Sequence, residues 1–135
     1  MEQRGVTVDI VAVKNNKIAL IKRGNEPFKG HWALPGGKVD VGETTQEAAL
    51  RELKEESSLE GKVECLVGYY DNPDRDPNNN VTFAYAVLVS GELKAADDAA
   101  EAGWFDLDSL PPLAFDHRLI IEDFSTGYKL VRQQK

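Results

Sequence analysis

Glu52, Glu55 and Glu56 lie within about one helical turn of each other in the stretch LPGGKVDVGETTQEAALRELKEESSL, residues 34–59. At roughly 100° per residue they share one arc of a helix, and Ala49, Leu50 and Leu53 take the neighbouring arc. The apolar arc can pack on a core and leave the glutamates lining a cleft at its edge. Three carboxylates this close repel one another, and like charges at helical spacing are unfavourable. A hard divalent cation among their oxygens reverses the balance. Mg²⁺ suits the task, with Mn²⁺ as its substitute, because it takes few carboxylates and completes its shell with water and substrate phosphate. Arg51 stands four residues from both Glu47 and Glu55, so ion pairs through it can hold the glutamate framework. A glutamate-rich helix on its own is more often a solvated face, and only the wider pattern moves the reading away from that.

The elements that position these groups are legible around them. Thr44 and Glu47 have capping-box spacing, which starts the helix near Thr44 or Thr45. The loop before it carries Gly36, Gly37 and Gly42, suited to a tight turn and to close backbone approach by metal and phosphate. Val6, Val8, Ile10 and Ala12 alternate along a strand with one buried face. Asn15-Asn16 then turns the chain into a returning strand over Ile18 to Lys22. RGNEPFKGHWA, from Arg23 to Ala33, is a loop whose aromatic and charged residues suit recognition. Trp32 reads as core packing.

Beyond the helix, Val63 to Tyr70 reads as a strand, with Cys65 in the core. DNPDRDPNNN, from Asp71 to Asn80, is an exposed loop. Val81, Phe83, Tyr85, Val87 and Val89 share one face of the clearest strand in the chain. An acidic, Ala-rich segment from Gly91 to Gly103 precedes a short strand at Trp104-Phe105 and a helical turn at Asp108-Ser109-Leu110. Asp116 caps a helix running to roughly Phe124, with Leu119, Ile120 and Phe124 on its apolar side. Lys129 to Lys135 reads as a frayed polar tail. Strands on either side of a helix, with a second helix at the end, give an α/β fold with a mixed sheet covered on both faces.

Composition narrows the chemistry further. A chain of 135 residues fits one domain, residues 1–135, with a real core. Its net charge of −7 argues against a nucleic-acid polymer as partner, since backbone binding needs positive surface. A small phosphate ligand is still compatible, because a bound cation inverts the local field. The single cysteine excludes an intrachain disulfide and suits a reducing cytoplasm. No apolar run approaches the roughly 20 residues that span a bilayer. Asp9 interrupts the N-terminal apolar stretch, so no signal-peptide pattern is present.

Taken together, Gly37, then Glu43, then Arg51-Glu52-Leu53-Lys54-Glu55-Glu56 closed by Leu59, resembles the signature of the Nudix hydrolase family. One position departs: the family usually has Gly where this chain has Ser58. A left-handed helix exit explains that Gly and predicts strain at Ser58. The resemblance implies a Nudix-type α/β/α sandwich over essentially the whole chain. It implies hydrolysis of a nucleoside diphosphate linked to another moiety, with Glu52, Glu55, Glu56 and the Gly36 carbonyl as metal ligands. Arg51 and Glu43 become scaffold, with Glu43 a candidate for contact through water. For the general base, the later acidic loop offers Asp97, Asp98 and Glu101; Glu101 is the choice, and Glu52 the alternative.

EPFKGHWALPGG, NPDRDP and PPLAFDH further resemble the ADP-ribose pyrophosphatases of this family, which implies ADP-ribose and water giving AMP and ribose 5-phosphate. Arg23 and Arg75 can then grip phosphate by forked hydrogen bonds. For Arg75 a local ion pair with Asp74 or Asp76 is the equally weighted alternative. Phe28 can face a base or tuck into the core, and Glu26 can bind ribose hydroxyls or the adenine amino group. His117 reads as a structural or outer-shell residue. Related enzymes are commonly dimers, so a homodimer is expected. The competing readings are a Nudix enzyme acting on another nucleotide, such as an oxidised nucleoside triphosphate, and a non-catalytic ADP-ribose sensor.

Overall fold

The computed structural model describes residues 3–133, with side chains described through residue 127. Strands β1 (Val6–Lys14) and β2 (Lys17–Arg23) form a hairpin over Asn15-Asn16. Both asparagines have positive φ, 51° and 64°, as a tight primed turn demands. The hairpin pairs only at Val13–Ile18 and Lys14–Lys17 before its arms part. β3 (Trp32–Ala33) and β4 (Gly36–Lys38) belong to different arms: β3 pairs with β2, and β4 pairs with β1 at Thr7–Asp9. The 33–36 turn that joins them therefore bridges the two arms.

Helix α1 (Thr45–Ser57) follows, then β5 (Glu60–Tyr70), β6 (Val81–Ser90), β7 (Ala99–Asp106) and α2 (His117–Gln133). β6 runs parallel to β1 and the other pairings are antiparallel, so the sheet is mixed, in the order β3-β2-β1-β6-β5 with β7 on β2. Val8, Ile10 and Ala12 pack with Ala48, Ala49 and Leu53 of α1 on one face. Val11, Leu20, Ala84 and Ala86 pack with Ile120, Ile121 and Phe124 of α2 on the other. This is the expected α/β/α sandwich. β1 differs from its sequence reading in being buried on both faces, as a strand inside a covered sheet must be.

Four local expectations are corrected. Cys65 is exposed, because β5 is the sheet's edge and its pairing slips between Val63 and Cys65. β7 begins at Ala99, so the acidic segment is a strand over its last residues. Leu119 is exposed and Ile121 takes the buried position beside Ile120. α2 continues to Gln133, so the tail is helical up to there; residues 134–135 lie outside the described residues. Trp32 does pack in the core, 4.9 Å from Phe105. Among the described residues no helix is long and apolar enough to cross a membrane.

Ser58 takes the left-handed conformation expected of it, φ 64°, and its N–H donates to the Lys54 carbonyl. Ser58→Gly is therefore expected to stabilise the protein by about 0.5–1 kcal/mol, as strain relief exceeds the added chain entropy. The check is a higher urea midpoint at unchanged slope; a lower midpoint would contradict it.

Candidate active site

α1 begins as its sequence requires. Thr44 Oγ1 accepts from the Glu47 N–H, and Glu47 Oε1 accepts in turn from the Thr44 N–H. That capping box occupies Glu47, so the Glu47–Arg51 pair suggested by spacing is not formed. Arg51 instead donates from Nε and Nη2 to both oxygens of Glu43, at 2.7 and 2.9 Å. Its remaining donors reach Glu52 at 2.8 Å, Glu55 at 3.2 Å and the Lys38 carbonyl at 2.9 Å. The guanidinium holds the Glu43 carboxyl down at about 2, and the Asp40 N–H assists. Arg51 thus ties α1 to the 38–43 loop, the scaffold arrangement expected of it.

Glu56 points the other way. Its Oε1 accepts from the Gly36 N–H at 2.7 Å. Burial pushes its carboxyl up to about 8; the Gly36 N–H opposes this, while Glu52 and Asp9 add to it. Burial also raises Glu52, against the pull of Arg51. Neither Gly36 nor Gly37 has a positive φ, so a turn does not explain them. Close approach does. A Cβ on Gly37 would sit 2.5 Å from the Glu52 carboxyl carbon, and one on Gly36 would strike the Val8 carbonyl oxygen and the Asp9 carboxylate.

Glu52, Glu55, Glu56, Gly36 and Gly37 line one side of a cavity of about 660 Å³, with Arg23, Asp97 and Asp98 elsewhere on its wall. The loop carrying the two aspartates is stitched to α1, because Lys94 and Ala96 donate their N–H groups to the carbonyls of Ser57 and Glu56. A smaller cavity of about 210 Å³ shares Arg23, Gly36 and Glu56 and adds Asp9, Phe115 and His117. The donor set of the larger cavity, hard carboxylate oxygens beside the half-buried Gly36–Gly37 backbone, fits a hard divalent cation. Among the described residues no three carboxylates already converge on one point. Arg51 donates to one oxygen of Glu52 and to one of Glu55.

The structure sets Glu101, the expected base, apart from the cavity. The β2–β7 register sets it opposite Lys22, whose Nζ lies 3.2 Å from Glu101 Oε2, and it is not among the cavity-lining residues. Glu101→Gln should leave kcat within about twofold of wild type, since exposed ion pairs contribute little. A large loss in a steady-state assay would restore it to the mechanism.

The residues expected to recognise substrate also sort themselves. Arg23 lines both cavities; its Nε donates to the Pro27 carbonyl at 2.6 Å and its guanidinium lies 5.1 Å from the Phe115 ring centre. Phe28 meets Phe115 at a tilt, ring centres 4.7 Å apart, and His31 edge-on at 5.6 Å, so part of its ring is taken by aromatic packing. Glu26 is exposed and accepts from the Lys29 N–H within its own loop.

Arg75 neither offers a fork to phosphate nor pairs with its sequence neighbours. Its Nε and Nη2 close on both oxygens of Asp116 at 2.7 Å each, and Nη1 donates to Thr82 Oγ1 at 2.9 Å. A buried guanidinium must have its donors matched, and Asp116 supplies the match. Asp116 also stands just before α2, and its carbonyl accepts from the Ile120 N–H at 3.3 Å. His117 accepts at Nδ1 from the Leu34 N–H and lies 3.2 Å from Asp9 through Nε2. Asp9 and Phe115 were missed as site residues. Asp9 had a signal, as the one acid inside an apolar strand, and Phe115 had one in the PPLAFDH stretch that carries it.

Residues 3–124 match the NUDIX domain family. An ADP-ribose pyrophosphatase of Methanocaldococcus jannaschii is 56% identical over 121 residues, covering 88% of this chain and 72% of that protein. The NUDIX domain of Shewanella oneidensis NrtR, solved in complex with ADP ribose, has a TM-score of 0.85 at 29% identity, over 95% of this chain and 90% of that one. A bifunctional NMN adenylyltransferase/ADP ribose pyrophosphatase of Francisella tularensis, solved with AMP and a Mn ion, has a TM-score of 0.82 at 30% identity, over 90% of this chain and 41% of that one.

Proposed function

The chain belongs to the NUDIX family, and we propose that it is a hydrolase that splits the pyrophosphate of ADP-ribose with water, giving AMP and ribose 5-phosphate. The observation that carries the chemistry is the meeting of three α1 glutamates and the Gly36–Gly37 backbone on one cavity. The substrate is supported by the 56% identity to a named ADP-ribose pyrophosphatase.

Glu52, Glu55, Glu56 and the Gly36 carbonyl are the groups that would hold Mg²⁺, or Mn²⁺ in its place. When bound, a divalent cation neutralises pyrophosphate charge, acidifies bound water and stabilises the leaving oxygen. The protein's own part is placement. Arg51, fixed by Glu43, orients Glu52 and Glu55. The Gly36 N–H turns Glu56 toward the loop, and the two glycines let backbone and ligand approach. The water's proton goes to an acid on the cavity wall: Glu52, Asp97 or Asp98. Arg23, with Phe28 beside it, is the recognition group, and Glu26 is an exposed rim residue.

The same reading makes the chain a single Nudix domain over residues 1–135, cytoplasmic and homodimeric. A monomer by light scattering would overturn the last of these. The test of the activity is Mg²⁺-dependent release of AMP from ADP-ribose in a panel that includes nucleoside triphosphates. Preference for a triphosphate would overturn the substrate. A second reading, binding without turnover, is favoured by the close fit to the NrtR domain bound to ADP ribose; AMP release excludes it.

A further inference from the structure

The turn that carries Gly36 has an unusual dependence on one side chain. Pro35 has no N–H, so between Ala33 and Gly37 only the amides of Leu34 and Gly36 can anchor the backbone by donating. Gly36 donates to Glu56, which places it on α1. Leu34 donates to His117 Nδ1 at 3.0 Å, across 83 residues of sequence and in the protein interior. The Pro35 carbonyl accepts from the Ile10 N–H at 2.9 Å, which sets the turn against β1.

His117 is only 4% exposed. Accepting at Nδ1 leaves the ring proton on Nε2, which faces Asp9 Oδ2 at 3.2 Å. The Asp9 carboxylate in turn lies close beside Gly36, since a Cβ there would lie 2.5 Å from Asp9 Oδ1. The imidazole therefore meets the Gly36 turn from two sides, by a hydrogen bond to Leu34 and through the carboxylate of Asp9. Ordinary helix anchoring does not need both contacts, because the backbone of α2 already starts on the Asp116 carbonyl.

We propose that His117 is a positioning residue for the metal site: through the Leu34 N–H it fixes the height of the Gly36 backbone over Glu52, Glu55 and Glu56. The proposal rests on the reading of those groups as cation ligands. Outer groups that orient ligands typically change metal affinity by about 10–100-fold when altered.

Two conservative variants separate the contacts. His117→Asn keeps an acceptor where Nδ1 stands and loses the N–H toward Asp9. His117→Gln puts its amide near the Nε2 position and leaves the Leu34 N–H without its acceptor. Mn²⁺ binding, read by electron paramagnetic resonance without substrate, should be within about twofold of wild type for His117→Asn and about tenfold weaker for His117→Gln. In turnover, His117→Gln should need more metal while its KM for ADP-ribose at saturating metal changes little. Equal affinity in the two variants, loss in both, or the opposite order overturns the proposal. If wild type binds Mn²⁺ but does not cleave ADP-ribose, the substrate assignment fails while the comparison of variants stands.

Discussion

Glu56→Gln is expected to lower kcat on ADP-ribose by about 10²–10³-fold with the fold intact. Glutamine has the same length and keeps an oxygen for the Gly36 N–H, so what is removed is the charge facing the cation. Far-ultraviolet circular dichroism should match wild type. Activity that survives with unchanged metal dependence would remove Glu56 from the ligand set. The same variant has a stability signature in the absence of metal. The Glu56 carboxyl is raised in the folded protein, from 4.5 to about 8. A raised acid favours folding fully below its unfolded value, and that contribution is lost as pH rises toward the folded one. In EDTA, wild type should therefore lose stability relative to Glu56→Gln between pH 4.5 and about 8. Urea midpoints of the two proteins at both ends of that range check the sign.

Asp116→Ala is expected to destabilise the protein by about 3–5 kcal/mol, because it strands a buried guanidinium. The Arg75 side chain is 6% exposed, and after the change its nearest remaining carboxylate is Asp9 at 4.0 Å. The loss should reach the cavity too, since Arg75 also bonds Thr82 on β6, and Thr7 meets Thr82 from β1. Asp116→Ala combined with Arg75→Met should recover much of the stability, as apolar replacements of buried ion pairs often do. Denaturant unfolding measures both. A loss below about 1 kcal/mol for the single variant would show that the pair is not the clamp its geometry suggests.

What the sequence disclosed was mostly local. The start of α1, its capping box and the arc of Glu52, Glu55 and Glu56 follow from spacings of a few residues, and helix geometry does the rest. The reading failed where two local rules competed for one group: Glu47 suits both the cap and an ion pair to Arg51, and the cap takes it. It failed again where long-range register decides. Glu101 looked like a loop acid until β7 paired with β2 and set it against Lys22. Arg75 had two acids beside it in sequence and chose one 41 residues away, because burial demands a forked partner at the right angle. Cys65 sits in a strand as read, yet no pattern in its own segment says that the strand is an edge. Ser58 was the opposite case, a single departure from the family pattern whose left-handed backbone could be anticipated.

Crystals grown with Mn²⁺ and a non-hydrolysable ADP-ribose analogue test the central claim most directly. Anomalous density bounded by Glu52, Glu55, Glu56 and the Gly36 carbonyl, touching the analogue's diphosphate, is the predicted result. Manganese elsewhere, with the three side chains still held by Arg51 and the Gly36 amide, would contradict it.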